Sequence, residues 1–119
     1  MSLRLLVVLL VLGFLLISVL ARAEDLDEAR TLIGKQLEQL KQGDVDGLKA
    51  GLTARLRDKV TKELVTAAQK EAAKHTIDEL VGSVAADKGG LKITMKNGRR
   101  LTVLVKVDGA WQADSIWFK

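Results

Sequence analysis

The sequence predicts an α+β domain: three N-terminal helices packed on an antiparallel sheet of about four strands, preceded by a signal peptide. Three observations carry this. Between Leu26 and about Lys74, apolar residues recur at helical spacing. From Thr76 the period changes, and a short β-leaning segment follows. Asn97-Gly98 and Asp108-Gly109 then divide residues 91–119 into strand, turn, strand, turn, strand. Helices come first and strands after, the order of an α+β domain with its helices on one face of the sheet.

Residues 1–23 have the anatomy of a secretory leader. Arg4 supplies the positive start, residues 5–20 are an almost unbroken apolar run, and Ala21-Arg22-Ala23 has the small-x-small form that signal peptidase cuts after. Glu24 is then the first mature residue, and residues 24–119 form a single domain outside the cytoplasm, periplasmic or extracellular. The alternative is an uncleaved anchor through residues 4–21, since a spanning helix needs about 17 to 25 residues. Without Arg4 and Arg22 the formal charge falls from +4 to about +2. With 3% aromatic residues and no recognition motif, that balance excludes a nucleic-acid partner. The absence of cysteine excludes a disulfide staple, a lipoprotein-type cysteine and a thiolate metal site. Packing alone must hold the domain.

Leu26, Ala29, Leu32, Ile33, Leu37 and Leu40 give a first helix over residues 26–41, with Glu24, Asp25, Asp27 and Glu28 at its positive end. That acidic cluster reads as a solvated helix end rather than a metal site, for no partner ligand pattern accompanies it. Gly43 is placed to end the helix and Asp44 to cap the next. Residues 45–60 follow as a short or irregular helix, loosened by Gly47 and Gly51 at about 1 kcal/mol each. Thr61 caps a third helix over residues 62–74. Ile77, Leu80, Val81 and Val84 are assigned to a first strand, and residues 85–90 to a loop.

Register decides the first turn of the meander. A three-residue loop, Lys96-Asn97-Gly98, pairs Met95 with Arg99, Ile93 with Leu101 and Leu91 with Val103, keeping apolar beside apolar. This predicts a type I turn with a bulge at Gly98. The same parity test at the second turn sets Val105 beside Trp111 and Val103 beside Ala113.

Gly43-Asp44-Val45-Asp46-Gly47-Leu48 after a first helix, the cap at Thr61, and the closing Val107-Asp108-Gly109-Ala110-Trp111 turn together resemble the nuclear transport factor two-like superfamily. The likeness is to its small exported, largely uncharacterised bacterial branch. The resemblance implies a cone of three helices cupping a curved sheet around a pocket. Members include ketosteroid isomerase-like and dehydratase-like enzymes as well as domains that only bind a ligand or a partner protein.

Isomerase or dehydratase chemistry needs a carboxylate or imidazole base facing a hydrogen-bond donor. Asp114, read as a strand residue between Trp111 and Trp117, and His75, at the helix-to-strand junction, are the catalytic candidates; the chain has no tyrosine to act as donor. Trp111 and Trp117, with Val103 and Val105, are the candidate ligand or interface residues, because indoles bury apolar area and still offer an N–H. Lys92, Lys96, Arg99, Arg100 and Lys106 form a basic surface on the meander. It reads as a solvated face that discourages edge pairing, or as a contact for an anionic membrane surface. The expected function is a non-catalytic binding or interaction module without a cofactor. Its partner is a small apolar ligand, another protein or a second copy of the chain, with membrane contact only through an uncleaved leader or the basic face. A minimal isomerase-like enzyme is the alternative.

Overall fold

The computed structural model describes the backbone of residues 3–119 and the side-chain environments of residues 23–119. The leader and anchor readings rest on residues 1–23, and the side chains of 1–22 lie outside that description. Among the described residues no helix is long and apolar enough to cross a membrane.

The chain is α+β, with helical segments first and a four-stranded antiparallel sheet after. Helix α1 (Leu3–Gln42) buries Ala29, Ile33, Leu37 and Leu40, the stripe expected from their spacing. Gln36 is buried among them, which the stripe did not predict. Two bonds close the helix: Gly43 N donates to Leu40 O at 3.1 Å and Asp44 N to Gln39 O at 2.8 Å. With φ +72° at Gly43 this is a Schellman stop. Asp44 at once caps α2 (Val45–Ala50), its Oδ1 accepting from Gly47 N at 3.0 Å.

The expected irregular second helix is two short pieces, α2 and α3 (Ala54–Arg57). Between them Leu52 is fully buried and forms a parallel bridge to Ala113. Helix α4 (Lys62–Ala72) starts at Thr61, whose Oγ1 accepts from Leu64 N at 3.2 Å. The segment after it differs from expectation. Residues Ile77–Leu80 form a helical turn, α5, capped by Thr76, because Ile77 and Leu80 at i, i+3 reach the same side only in a helix. The first strand, β1 (Ser83–Asp87), therefore begins later and runs through Ala85, Ala86 and Asp87, which the sequence assigned to a loop. Lys88 (φ +48°) and Gly89 (φ +82°) make its two-residue turn into β2 (Gly90–Thr94).

Strand order is β1-β2-β3-β4, with β3 Arg100–Val107 and β4 Ala110–Ala113. The three-residue turn Lys96-Asn97-Gly98 is present: Met95 N donates to Arg99 O at 2.7 Å, and Gly98 has φ +89°. A second irregularity follows it. Thr94 pairs with Arg100 but Ile93 with Thr102, so Leu101 is the extra residue of a bulge. The expected pairs Ile93–Leu101 and Leu91–Val103 are thereby replaced by Ile93–Thr102 and Leu91–Leu104. The second hairpin also departs from expectation. Asp108 (φ +51°) and Gly109 (φ +82°) form a two-residue turn, so Lys106 faces Trp111, Val105 faces Gln112 and Leu104 faces Ala113.

Leu91, Ile93, Thr102, Leu104 and Ala113 consequently share the face buried against the helices. Lys92, Arg100, Val103, Val105 and Gln112 share the other.

Candidate functional site

The outer face of the sheet brings together four of the residues that the sequence singled out: Lys92, Arg100, Val103 and Val105. Across it run Lys92, paired with Val103, and Val105, paired with Gln112. Val107 adds an apolar side chain 39% exposed. Val103 and Val105 are only half-buried and belong neither to the core cluster nor to the side chains packed on it. Thr94 and Arg100 finish the face at one end, beside the turn that carries exposed Lys96 and Arg99. The result is an apolar row with a basic end. Lys106 is not part of it: on the core-side face, its ammonium lies 5.2 Å from the centroid of the Trp111 ring, a cation–π contact.

The two tryptophans do not share a strand, because β4 ends at Ala113 and the tail turns back. Trp111 is half-buried, its Nε1 donating to Glu28 of α1. It walls a cleft of about 250 Å³ with Leu32, Lys35, Gln39, Gly47 and Gly51. Trp117 packs edge-on to Phe118, centroids 5.4 Å apart, and its Nε1 donates to Gln36 Oε1 at 2.7 Å. Both indoles thus fasten the C-terminal end of the chain to α1. Beneath Trp117, Leu37, Leu40, Ala72 and Leu80 line a cavity of only about 60 Å³. That is room for about two waters, whereas a drug-sized ligand needs roughly 300–1,000 Å³.

Asp114 lies just past the strand and is held on several sides. Thr53 Oγ1 donates to its Oδ1 at 2.8 Å, Arg55 Nε to the same oxygen at 3.2 Å, and Arg55 Nη2 to its backbone carbonyl at 2.7 Å. Thr53 stands at the N-cap position of α3 but caps nothing with its side chain, which serves Asp114 instead. His75 has what the sequence could not reveal: an orienting carboxylate. Its Nδ1 lies 3.2 Å from Glu79 Oε2, at the edge of a cleft of about 290 Å³ that Met95, Lys96 and Asn97 complete.

Three polar residues organise these places in ways the sequence did not announce: Gln36, Thr102 and Glu28, the last named there only as part of the acidic helix start. Gln36 and Thr102 are buried on faces that periodicity assigns to apolar side chains, and Glu28 lies in the acidic helix start. No local signal marks them. Their partners Trp117, Ser115 and Trp111 lie 81, 13 and 83 residues away in sequence. The chain matches no protein-family model, no curated protein and no solved structure. What fold and geometry define is an α+β domain with one helix-covered sheet face and one that is uncovered among the described residues.

Proposed function

We propose that the chain is a non-catalytic interaction module, working outside the cytoplasm, whose contact surface is the outer face of the sheet. The observation that carries this is the row Val103, Val105 and Val107, left out of the core and bordered by Lys92 and Arg100. Its occupant is a protein surface with apolar side chains at the centre and carboxylates at the margin, matching an apolar row with a basic end. Such surfaces bind through a desolvated centre while the charged rim guides approach. The finer expectation of a cone-like, nuclear transport factor two-like domain behind a leader rests on the order of elements, on the Asp44 and Thr61 caps, and on the leader-like residues 1–23.

A displayed peptide library selected on the wild-type protein and counter-selected on Val103→Lys/Val105→Lys tests the proposal. Peptides rich in apolar and acidic residues, weakened at least about tenfold by the double substitution, are expected, a difference of about 1.4 kcal/mol. Binders that hold both proteins equally overturn it. So does equal, salt-sensitive association of both proteins with phosphatidylglycerol-containing vesicles as the only binding observed, which is a membrane contact instead.

The alternative, a minimal isomerase-like or dehydratase-like enzyme, is favoured at one place only: the His75–Glu79 pair on its cleft. There Glu79 orients the imidazole and Nε2 is left to take a proton. Asp114 is the poorer candidate, its Oδ1 already occupied by hydrogen bonds from Thr53 and Arg55. Isomerisation of a β,γ-unsaturated ketone, followed by the absorbance of the conjugated product, decides this reading. It stands if the wild type is active and His75→Gln is not, and falls if neither turns over.

A further inference from the structure

The sheet has two edges, and among the described residues a further segment bonds to one of them, at Ala113, and none to the other. On the β4 edge, Ala113 N donates to Gly51 O at 2.8 Å and Thr53 N donates to Ala113 O at 3.0 Å, with Leu52 bridged alongside. On the β1 edge no such segment is found among the described residues. Parity fixes which groups that edge presents. The two-residue turn Lys88-Gly89 makes Asp87 and Gly90 the closing hydrogen-bonded pair. Ser83, Ala85 and Asp87 therefore bond into β2, while the N–H and C=O of Val84 and Ala86 point away from the sheet. Among the described residues neither bonds to another segment. Lysine and proline, the usual guards of an open edge, are absent from Ser83–Asp87.

We infer that this edge pairs with β1 of a second copy, antiparallel about a two-fold axis through Ala85, so that two four-stranded sheets become one. The strand is complementary to itself in this arrangement. Ala85 meets its own counterpart, Val84 exchanges both backbone bonds with the counterpart of Ala86, and the Ser83 hydroxyl faces the counterpart of the Asp87 carboxylate. No like charges meet directly. Lys92 lies one strand inside each copy, so the two ammonium groups stand three strand spacings apart, roughly 14 Å, beyond the screening length of about 8 Å. An unrelated peptide is the poorer occupant: Ser83, Ala85 and Ala86 make no pockets to select its side chains, and a strand added to an edge draws its specificity from such pockets. This surface is separate from the Val103–Val105 face, and either can fail without the other.

The chain has no cysteine, so a single introduced thiol reports on its own counterpart. Facing residues of a non-hydrogen-bonded antiparallel pair have Cα atoms about 4.5 Å apart, within disulfide reach. In the full chain, Ala85→Cys under mild oxidation is compared with Ala110→Cys and Thr66→Cys, both at exposed positions elsewhere. Covalent dimer is expected to form at least about tenfold faster at position 85, through the effective concentration that pairing creates. Equal rates at the three positions overturn the inference, and that comparison decides the question on its own. Adding Ala86→Pro to Ala85→Cys removes one outward N–H and spares the β1–β2 ladder. With the far-UV circular dichroism unchanged, its rate is expected to fall to that of the controls; a rate that stays high overturns pairing through this edge.

Discussion

Trp117 Nε1 donates to Gln36 Oε1 at 2.7 Å, fastening the last turn of the chain to the middle of its first helix. The other end of the same amide donates from Nε2 to Gly51 O at 3.0 Å, which closes α2 onto α1. Gln36 is fully buried and its partners Gly51 and Trp117 are half-buried, so water replaces a missing partner poorly at these two bonds. Gln36→Ala is expected to cost about 2–3 kcal/mol in urea unfolding, from an orphaned indole N–H, the loss of one of the two bonds to Gly51 O, which still accepts from Ala113 N, and a small void. Trp117→Phe, which removes one donor and less volume, should cost about half as much. Because the two residues share a bond, the double variant should lose less than the sum of the singles. Strict additivity would show that the bond contributes nothing.

Gly51 is required by the same arrangement. A Cβ placed there would stand 2.6 Å from Gln36 Nε2, closer than real side-chain contacts allow. Gly51→Ala is expected to lower stability by about 1–3 kcal/mol through overpacking. Combining it with Gln36→Ala should recover part of that loss. No recovery would place the strain in the backbone instead.

The local punctuation of the chain was legible in its sequence, and the pairing of its strands was not. Gly43-Asp44, Thr61 and the Asn97-Gly98 turn act through bonds that span a few residues, so residue type alone announces them. Strand register rested on the assumption that charged side chains leave the core face and valines take it. Lys106 breaks that assumption by lying over the Trp111 ring, and Val103 and Val105 break it by facing outward. The bulge at Leu101 brings Thr102 inward, where its hydroxyl meets Ser115, a partner 13 residues on. The candidate site follows the same division. Val103, Val105, Lys92 and Arg100 were named from sequence, but that they share one face depends on this register. His75 was visible as a residue and invisible as a pair, because Glu79 faces it only when residues 77–80 form a helical turn rather than a strand.

Thr102 tests whether that register is chosen by a hydrogen bond. Its Oγ1 lies 2.6 Å from Ser115 Oγ, and Thr102 is 2% exposed. Thr102→Val keeps the shape and leaves Ser115 without its partner, so a loss of about 1–2 kcal/mol is expected. Thr102→Val/Ser115→Ala removes both groups and should lose little more than the single substitution. A double variant that loses twice as much would mean the two hydroxyls act separately.

Asp114 and Arg55 form an ion pair at 3.0 Å on side chains 36% and 61% exposed. At that exposure solvent screens most of the attraction, and Arg55→Ala is expected to cost no more than about 1 kcal/mol, less at high salt. Asp114→Ala also orphans the Thr53 hydroxyl and should cost somewhat more. Equal losses for the two variants, measured by thermal unfolding at low and high salt, would show that the Thr53 bond is without effect.

The turn at Asp108-Gly109 closes the last hairpin with both residues at positive φ, +51° and +82°. Glycine takes that conformation freely, and aspartate tolerates it better than most side chains do. Asp108→Asn should therefore be neutral or slightly stabilising, asparagine being favoured at the first position of this turn. Asp108→Val, β-branched in the left-handed region, should cost about 1–2 kcal/mol, and Gly109→Ala about 1 kcal/mol. The three-residue turn expected from parity would give another order: it asks for positive φ at Gly109 alone, so Asp108→Val would be mild. Unfolding midpoints ranked Asn at or above wild type, then Ala, then Val support the two-residue turn. A Val variant as stable as wild type would return the hairpin to the other register and turn Val105 back toward Trp111.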